Sequence, residues 1–114
     1  MSLRRLGRSY VPSEVADVIL NFVRNVRSRF PDAEVYLFGS YARGVWLDDS
    51  DIDLIVVSTG FKGMSMEERA RVLRLMADRR YPFQILAYTP EEFKEVLRRS
   101  VVLQDAAEYW IKLT

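Results

Sequence analysis

Apolar positions in the first third of the chain recur at steps of three and four residues. Between Ser13 and Phe30 they form one stripe, which predicts an amphipathic helix with Ser13 as its N-cap. The Pro31-Asp32 pair then ends the helix. The next apolar run, over residues 34–38, is short and continuous, as in a buried strand.

Two further apolar runs, residues 51–58 and 83–88, predict a second and a third buried strand. Each is followed by a capping box that predicts a helix. Ser65 and Glu68 open one that extends to about residue 78, and Thr89-Pro90-Glu91-Glu92 opens another. Alternating helices and strands indicate an α/β domain in two layers.

The remaining segments add short elements. We expect a short helix within the Gly39–Gly44 turn, another from Val101, and an edge strand within residues 109–113. Residues 1–11 read as a short arm. The chain of 114 residues, 49% of them hydrophobic, is predicted to form a single domain over residues 1–114.

Composition narrows the chemistry. The chain has no cysteine and no histidine, which excludes thiol catalysis, cysteine zinc sites and histidine general bases. A net charge of +1 argues against nucleic acid as a partner. No apolar run reaches the roughly 18 residues of a membrane span, and no secretory signal is visible, so we expect a cytoplasmic protein. Scarce amides hint at a thermophilic source, which a melting temperature would test.

The candidate site combines two pairs of residues. Asp51 and Asp53 alternate on a strand, so both carboxylates project from the same face and would repel each other without a cation such as Mg²⁺. Upstream, Gly39 permits close backbone approach to a ligand, and Ser40 adds a hydroxyl. A helix that begins at this turn would present free N–H groups suited to phosphate. This combination is typical of phosphoryl or nucleotidyl transfer.

The string from Phe38 to Leu54, with GSYARG followed by SDIDL, resembles the polymerase-beta-type nucleotidyltransferases, and among them the minimal nucleotidyltransferases. The resemblance implies a mixed β-sheet with helices mainly on one face. It implies Mg²⁺ held by Asp51 and Asp53, and a nucleoside triphosphate, with ATP favoured, bound by Gly39 and Ser40. It also implies transfer of the nucleotidyl group to a hydroxyl, by analogy on a HEPN-domain partner protein in an antitoxin-like pair.

One position departs from this family. A third acidic residue, which serves as metal ligand and base, is usual on the third strand, but here Gln84 stands at that position. An amide cannot accept a proton at neutral pH, and general-base catalysis contributes typically about 10²–10⁴ in rate. The alternative hypothesis is therefore a weakened or inactive nucleotide-binding subunit. Glu91 or Glu92 could substitute, although their capping box already explains them. A purely structural domain is a third reading.

Other polar and aromatic residues leave alternatives open. Arg43 could bind phosphate or pair with Asp48 or Asp49 on the surface. Trp46 could flank a nucleotide or cover the core.

Two further groups lie outside the motif. Arg69, Arg71 and Arg74 read as a solvated helix face. The apolar cluster at residues 109–111 could be core or an interface for a partner. A homo-oligomer is a further alternative that the sequence leaves open.

Overall fold

The computed structural model describes all residues from Met1 to Thr114. It has six strands and five α-helices, plus a 3-10 turn at Thr59–Phe61. In chain order they are β1 (Leu3–Leu6), β2 (Ser9–Pro12), α1 (Ser13–Arg29), β3 (Glu34–Phe38), α2 (Gly39–Arg43), β4 (Ile52–Val57), α3 (Met66–Arg74), β5 (Phe83–Tyr88), α4 (Pro90–Arg99), α5 (Val101–Ala107) and β6 (Ile111–Lys112).

The main sheet has four strands in the order β5-β4-β3-β6. β3 pairs antiparallel with both β4 and β6, whereas β4 and β5 run parallel. The β4–β5 connection passes through α3, as a parallel crossover requires. The prediction of an α/β fold with a mixed sheet is confirmed.

The two faces of the sheet are covered unequally. One face carries the large core, where α1 packs against β3 and β4 through residues such as Phe22, Leu37 and Leu54. The other face carries a small cluster in which Phe93 of α4 and Leu103 of α5 cover part of β4. The sheet therefore has one main helical layer, with 22 buried residues in its core, and a second, smaller layer with four.

The amino-terminal segment differs from the predicted short arm. β1 and β2 pair as an antiparallel hairpin. Leu6 and Val11 are buried in the main core, and the Ser9 hydroxyl donates a hydrogen bond to the Tyr41 carbonyl oxygen at 2.6 Å. The sequence pattern did not predict these two strands, because the segment contains several arginines, a glycine and few apolar residues.

The helix α3 is shorter than expected and one of its arginines is not solvated. α3 ends at Arg74 rather than near residue 78, because the following residues form tighter turns, with the Ala77 N–H bonded to the Arg74 carbonyl. Arg69 was predicted to lie on a solvated face, but it is buried and pairs with Glu92 at 2.6 Å. The spacing of residues along α3 could not predict this burial, because it depends on Glu92 of α4, which is distant in sequence.

Both predicted capping boxes are present at Ser65 and Thr89. No helix in the structure has the length and apolar character needed to cross a membrane.

Candidate active site

The two candidate carboxylates lie where β4 begins. Asp53 is the second residue of β4, pairs with Phe38 at the end of β3, and is partly buried. Asp51 directly precedes the strand and is exposed. With Ile52 fully buried on the main core side, both carboxylates belong to the face that bears the small cluster. The structure thus brings the predicted pair together at one end of the sheet.

Gly39 lies against Asp53. It follows β3 directly, has φ +72°, and a Cβ atom built on it would lie 2.8 Å from Asp53 Cγ and 3.1 Å from Asp53 Cβ. Side chains other than hydrogen are therefore excluded by both backbone conformation and space. The turn that resembles a phosphate loop and the carboxylate strand are in direct contact.

The electrostatics of the pair are unfavourable without a cation. Burial, and secondarily the neighbouring charge of Asp51, raise the pKa of Asp53 to about 6. No basic side chain forms an ion pair with either carboxylate, since the ion pairs of the structure involve other residues. A site that holds two uncompensated carboxylates on one face attracts a positive ligand.

The α2 helix begins at this turn. Its N-cap is Phe38, which offers no capping side chain, and no acidic residue lies in its first turn. The leading N–H groups of Gly39 and Ser40 therefore lack a side-chain acceptor at the end of the helix. Gly44 ends α2 with φ +75°, and its N–H donates to the Ser40 carbonyl, so Gly44 caps the carboxyl end of the helix.

Gln84 lies on β5, at the position where a third acidic residue was expected. It pairs in register with Asp53 across the parallel β4–β5 ladder, so its side chain lies on the same face of the sheet, and it is exposed. The structure brings no third acidic residue to the pair. Glu91 and Glu92 follow the far end of β5, which lies roughly 13 Å along the strand from Gln84. They are therefore too distant to replace the missing acid.

Arg43 does not form the surface ion pair that is one of its two predicted roles, and its phosphate-binding role stays a prediction. It ends α2, is exposed, and places its guanidinium carbon 4.9 Å from the ring centre of Tyr109. It forms no ion pair with Asp48 or Asp49. The aromatic partner was missed in the sequence, because more than half of the chain separates the two members of this cation–π contact between α2 and the segment before β6.

The aromatic residues around the site are structural. Trp46 packs on the main core, stacks on Tyr41, and donates its indole N–H to the Tyr10 carbonyl at 2.8 Å. Trp46 therefore covers the core, which is one of the two roles predicted for it. Trp110 contacts Tyr36 with ring centres 4.7 Å apart, so the apolar cluster at residues 109–111 belongs largely to the chain's own packing.

A comparison with protein families decides the classification. The model of the nucleotidyltransferase domain matches residues 19–109, which include the whole candidate site. The chain belongs to the nucleotidyltransferase domain family.

Similar proteins agree with this family. A candidate protein adenylyltransferase of Methanocaldococcus jannaschii is 24% identical over 91 residues, which are 78% of this chain and 89% of that protein. The crystal structure of a candidate nucleotidyltransferase from Sulfolobus solfataricus has 31% identity and a TM-score of 0.61, covering 73% of this chain and 74% of its own. A toxin–antitoxin structure with AMP-PNP shares the fold, with a TM-score of 0.60, 21% identity, and coverage of 83% and 71%.

The donor set of this nucleotidyltransferase domain fits a hard divalent cation. Two carboxylates share one face, burial raises the pKa of Asp53, and the missing side chain of Gly39 lets the glycine turn lie directly against Asp53. Carboxylate oxygens suit Mg²⁺, because this ion usually binds one or two protein carboxylates and fills its remaining coordination positions with water and phosphate oxygens. The two acids are enough for one such ion, and Gln84 could add at most a neutral amide oxygen.

Proposed function

We propose that this chain is a Mg²⁺-dependent nucleotidyltransferase that moves a nucleoside monophosphate from a nucleoside triphosphate to a hydroxyl group. The observation that carries the proposal is the contact between Gly39 and Asp53, which joins the glycine turn to the carboxylate pair at the end of the sheet. In a family defined by nucleotidyl transfer, this junction is where phosphates and a cation would meet.

Each residue has a role that follows from its position. Asp51 and Asp53 would hold Mg²⁺, which when bound neutralises phosphate charge and favours in-line displacement. Gly39 and Ser40 would bind the terminal phosphates through the free N–H groups at the start of α2 and the Ser40 hydroxyl. Arg43 is one helical turn further on, and its stacking on Tyr109 leaves its N–H groups free for an anion at that side.

The nucleotide is proposed to be ATP and the acceptor a hydroxyl of a partner protein, with a HEPN-domain protein as the candidate. Support comes from the archaeal relative, whose name describes protein adenylyl transfer, and from the related fold in a toxin–antitoxin structure with AMP-PNP. The acceptor would enter from the exposed side of the site, where Gln84 lies.

A second candidate function is a nucleotide-binding subunit with little turnover. The specific observation in its favour is Gln84, which stands in register beside Asp53 with no acid to take its place. Without a general base the acceptor hydroxyl would attack about 10²–10⁴ more slowly.

Transfer of label from α-labelled ATP to a co-purified HEPN-domain protein separates the two candidates. We expect slow labelling by the wild type and labelling faster by at least about tenfold with Gln84→Asp, because an acid there restores the base. Asp51→Asn in the Gln84→Asp background is the matched control and should abolish labelling. Absence of labelling with both the wild type and the Gln84→Asp variant, while ATP still binds to each, would favour the binding subunit.

A further inference from the structure

Three large apolar side chains lie exposed in the part of the chain that leads into β4. Val45 and Leu47, between α2 and β4, are 67% and 70% exposed, whereas Trp46 between them packs inward on the core. The Trp46 indole N–H bonds to the Tyr10 carbonyl at 2.8 Å, which places this segment against β2, and Tyr10 is itself 57% exposed. Single exposed apolar residues are common, but neighbouring ones mark an interaction surface. We call Tyr10, Val45 and Leu47 the rim patch.

Hydrogen bonds hold the rim patch at a fixed position relative to the carboxylates. The Val45 N–H donates to the Ser40 carbonyl at 3.1 Å. The Leu47 N–H donates to the Ser50 hydroxyl at 2.7 Å, and the Ser50 N–H donates back to the Leu47 carbonyl at 3.0 Å. This turn leads directly into Asp51. Because four residues of chain span at most about 14 Å, the Leu47 and Asp51 Cα atoms lie within that distance of each other.

The turn between the rim patch and the candidate site is acidic. Asp48 and Asp49 are exposed and, like Asp51, take part in no ion pair. Burial, and then the charges of Asp48 and Asp49, raise the pKa of the Tyr41 hydroxyl, so both carboxylates act on the ring that stacks on Trp46. A surface with these charges attracts cationic side chains and repels the phosphates of a nucleic acid.

We propose that the rim patch docks the acceptor protein, and that the docked segment of this protein carries apolar side chains flanked by lysine or arginine. The inference rests on the proposed function, in which the acceptor is a hydroxyl of a partner protein. The apolar side chains of the segment would pack on the rim patch, and its basic side chains would lie against Asp48 and Asp49. An extended segment advances about 3.3 Å per residue, so the acceptor hydroxyl belongs to a residue no more than about four positions from the apolar side chains.

The affinity for the co-purified HEPN-domain protein, measured by surface plasmon resonance without nucleotide, tests this docking surface. The Val45→Ser, Leu47→Ser double variant should bind that protein at least about tenfold more weakly than the wild type does. Leu75→Ser is the matched control, because Leu75 is 75% exposed but lies at the end of α3. The control should bind within about twofold of the wild type. No binding by the wild type, or an equal loss in the control, would overturn the proposal.

Charge reversal tests the predicted basic residues of the docked segment. The Asp48→Lys, Asp49→Lys double variant should weaken association by at least about tenfold, and added salt should weaken association of the wild type. Glu67→Lys, on the exposed side of α3 and outside every ion pair, should change the affinity by less than about twofold. An affinity that responds neither to salt nor to the aspartate variant would overturn the proposal, as would labelling of RNA in place of the protein.

Photo-crosslinking identifies the docked segment directly. A p-benzoylphenylalanine placed at Val45 should crosslink to an apolar sequence with lysine or arginine beside it, and the labelled hydroxyl should lie within about four residues. A crosslink to an acidic segment would overturn the proposal. Both double variants should bind Mg²⁺-ATP as the wild type does, because they leave the glycine turn and the carboxylate pair in place. Failure of the wild type to bind Mg²⁺-ATP would contradict the proposed function, whereas the partner affinities would still test the docking surface.

Discussion

Gly39 and Asp53 are packed so closely that no side chain fits between them. The backbone of Gly39 has φ +72°, and a methyl group there would overlap the Asp53 carboxyl group. This contact fixes the distance between the glycine turn at the end of β3 and the carboxylate at the start of β4. The geometry of the site therefore requires a glycine at position 39.

Replacement of Gly39 by alanine should damage both the fold and the site. We expect the free energy of unfolding to fall by about 2–4 kcal/mol, from left-handed strain and from displacement of Asp53. Magnesium-dependent nucleotide binding should be lost. Urea denaturation and calorimetric titration measure the two effects.

Gly63→Ala is the matched control for this variant. Gly63 also has positive φ, at +82°, but a Cβ there meets nothing within 4 Å. The Gly63→Ala variant should lose about 1 kcal/mol of the free energy of unfolding, from backbone strain alone, and its nucleotide binding should be unchanged. If both variants behaved alike, overlap with Asp53 would not be the cause.

Asp53 should make the metal-free protein less stable at neutral pH. Its folded pKa of about 6 lies above the ordinary value of 3.8, so the folded state holds this proton more tightly than the unfolded state. Stability should therefore decline as the pH rises from about 4 to 6 and stay level above that. Asp53→Asn removes this loss and should stabilise the protein at pH 7.5 by about 1–2 kcal/mol, after allowance for its partial exposure.

Thermal unfolding without divalent cations at pH 4 and pH 7.5 measures this effect. The gain from Asp53→Asn should grow between the two pH values, whereas exposed Asp51→Asn should give a smaller gain. Equal stability of wild type and Asp53→Asn at pH 7.5 would contradict the electrostatic account of the site.

Asp32, unlike Asp53, should make the protein more stable at neutral pH than at low pH. The Ser58 and Thr59 hydroxyls and the Thr59 N–H donate hydrogen bonds to its carboxylate at 2.6, 2.7 and 2.9 Å. These bonds lower its pKa to about 2, so its contribution is complete above pH 3.8 and is lost as the pH falls towards 2. Asp32→Ala should cost about 1 kcal/mol at pH 7, since the group is largely exposed.

Urea denaturation at pH 7 and pH 2.5 checks the Asp32 prediction, with exposed Asp49→Ala as control. The difference between Asp32→Ala and wild type should shrink at the lower pH. A difference that is the same at both pH values would show that the carboxylate charge is not what stabilises the turn.

The ion pair of Arg69 with Glu92 should stabilise the junction of α3, β5 and α4. Arg69 keeps only 5% of its side chain exposed, and it also donates to the Met64 and Ala87 carbonyls. Glu92→Gln retains the capping box but leaves a buried guanidinium without its counter-charge, so we expect a loss of about 1–3 kcal/mol. The neighbouring Glu91→Gln, on the exposed side, should change stability by less than about 0.5 kcal/mol in urea denaturation.

The local elements could be predicted because their causes are local. The three-and-four spacing of α1, both capping boxes and the apolar runs of the central strands are all visible in the sequence. The spacing of Asp51 and Asp53 likewise follows from strand geometry. The sequence predicts Gly39 for close approach to a ligand, whereas the structure shows that its positive φ and its contact with Asp53 require glycine there.

What could not be predicted depends on elements distant in sequence. The hairpin of β1 and β2 is stabilised by packing against α1 and α2 rather than by its own apolar pattern. The burial of Arg69 requires α4, and the stacking of Arg43 requires Tyr109. The position of Gln84 was predicted correctly as beside the carboxylates, and the register of β4 with β5 explains why Glu91 and Glu92 cannot replace it.

The most direct test of the central claim is calorimetric titration of Mg²⁺-ATP into the wild type and into an Asp51→Asn, Asp53→Asn double variant. The account predicts saturable binding to the wild type that requires Mg²⁺ and disappears in the double variant, while the variant remains folded. Binding of equal strength to both proteins, or no binding of Mg²⁺-ATP or of the other Mg²⁺-nucleoside triphosphates to the folded wild type, would contradict it.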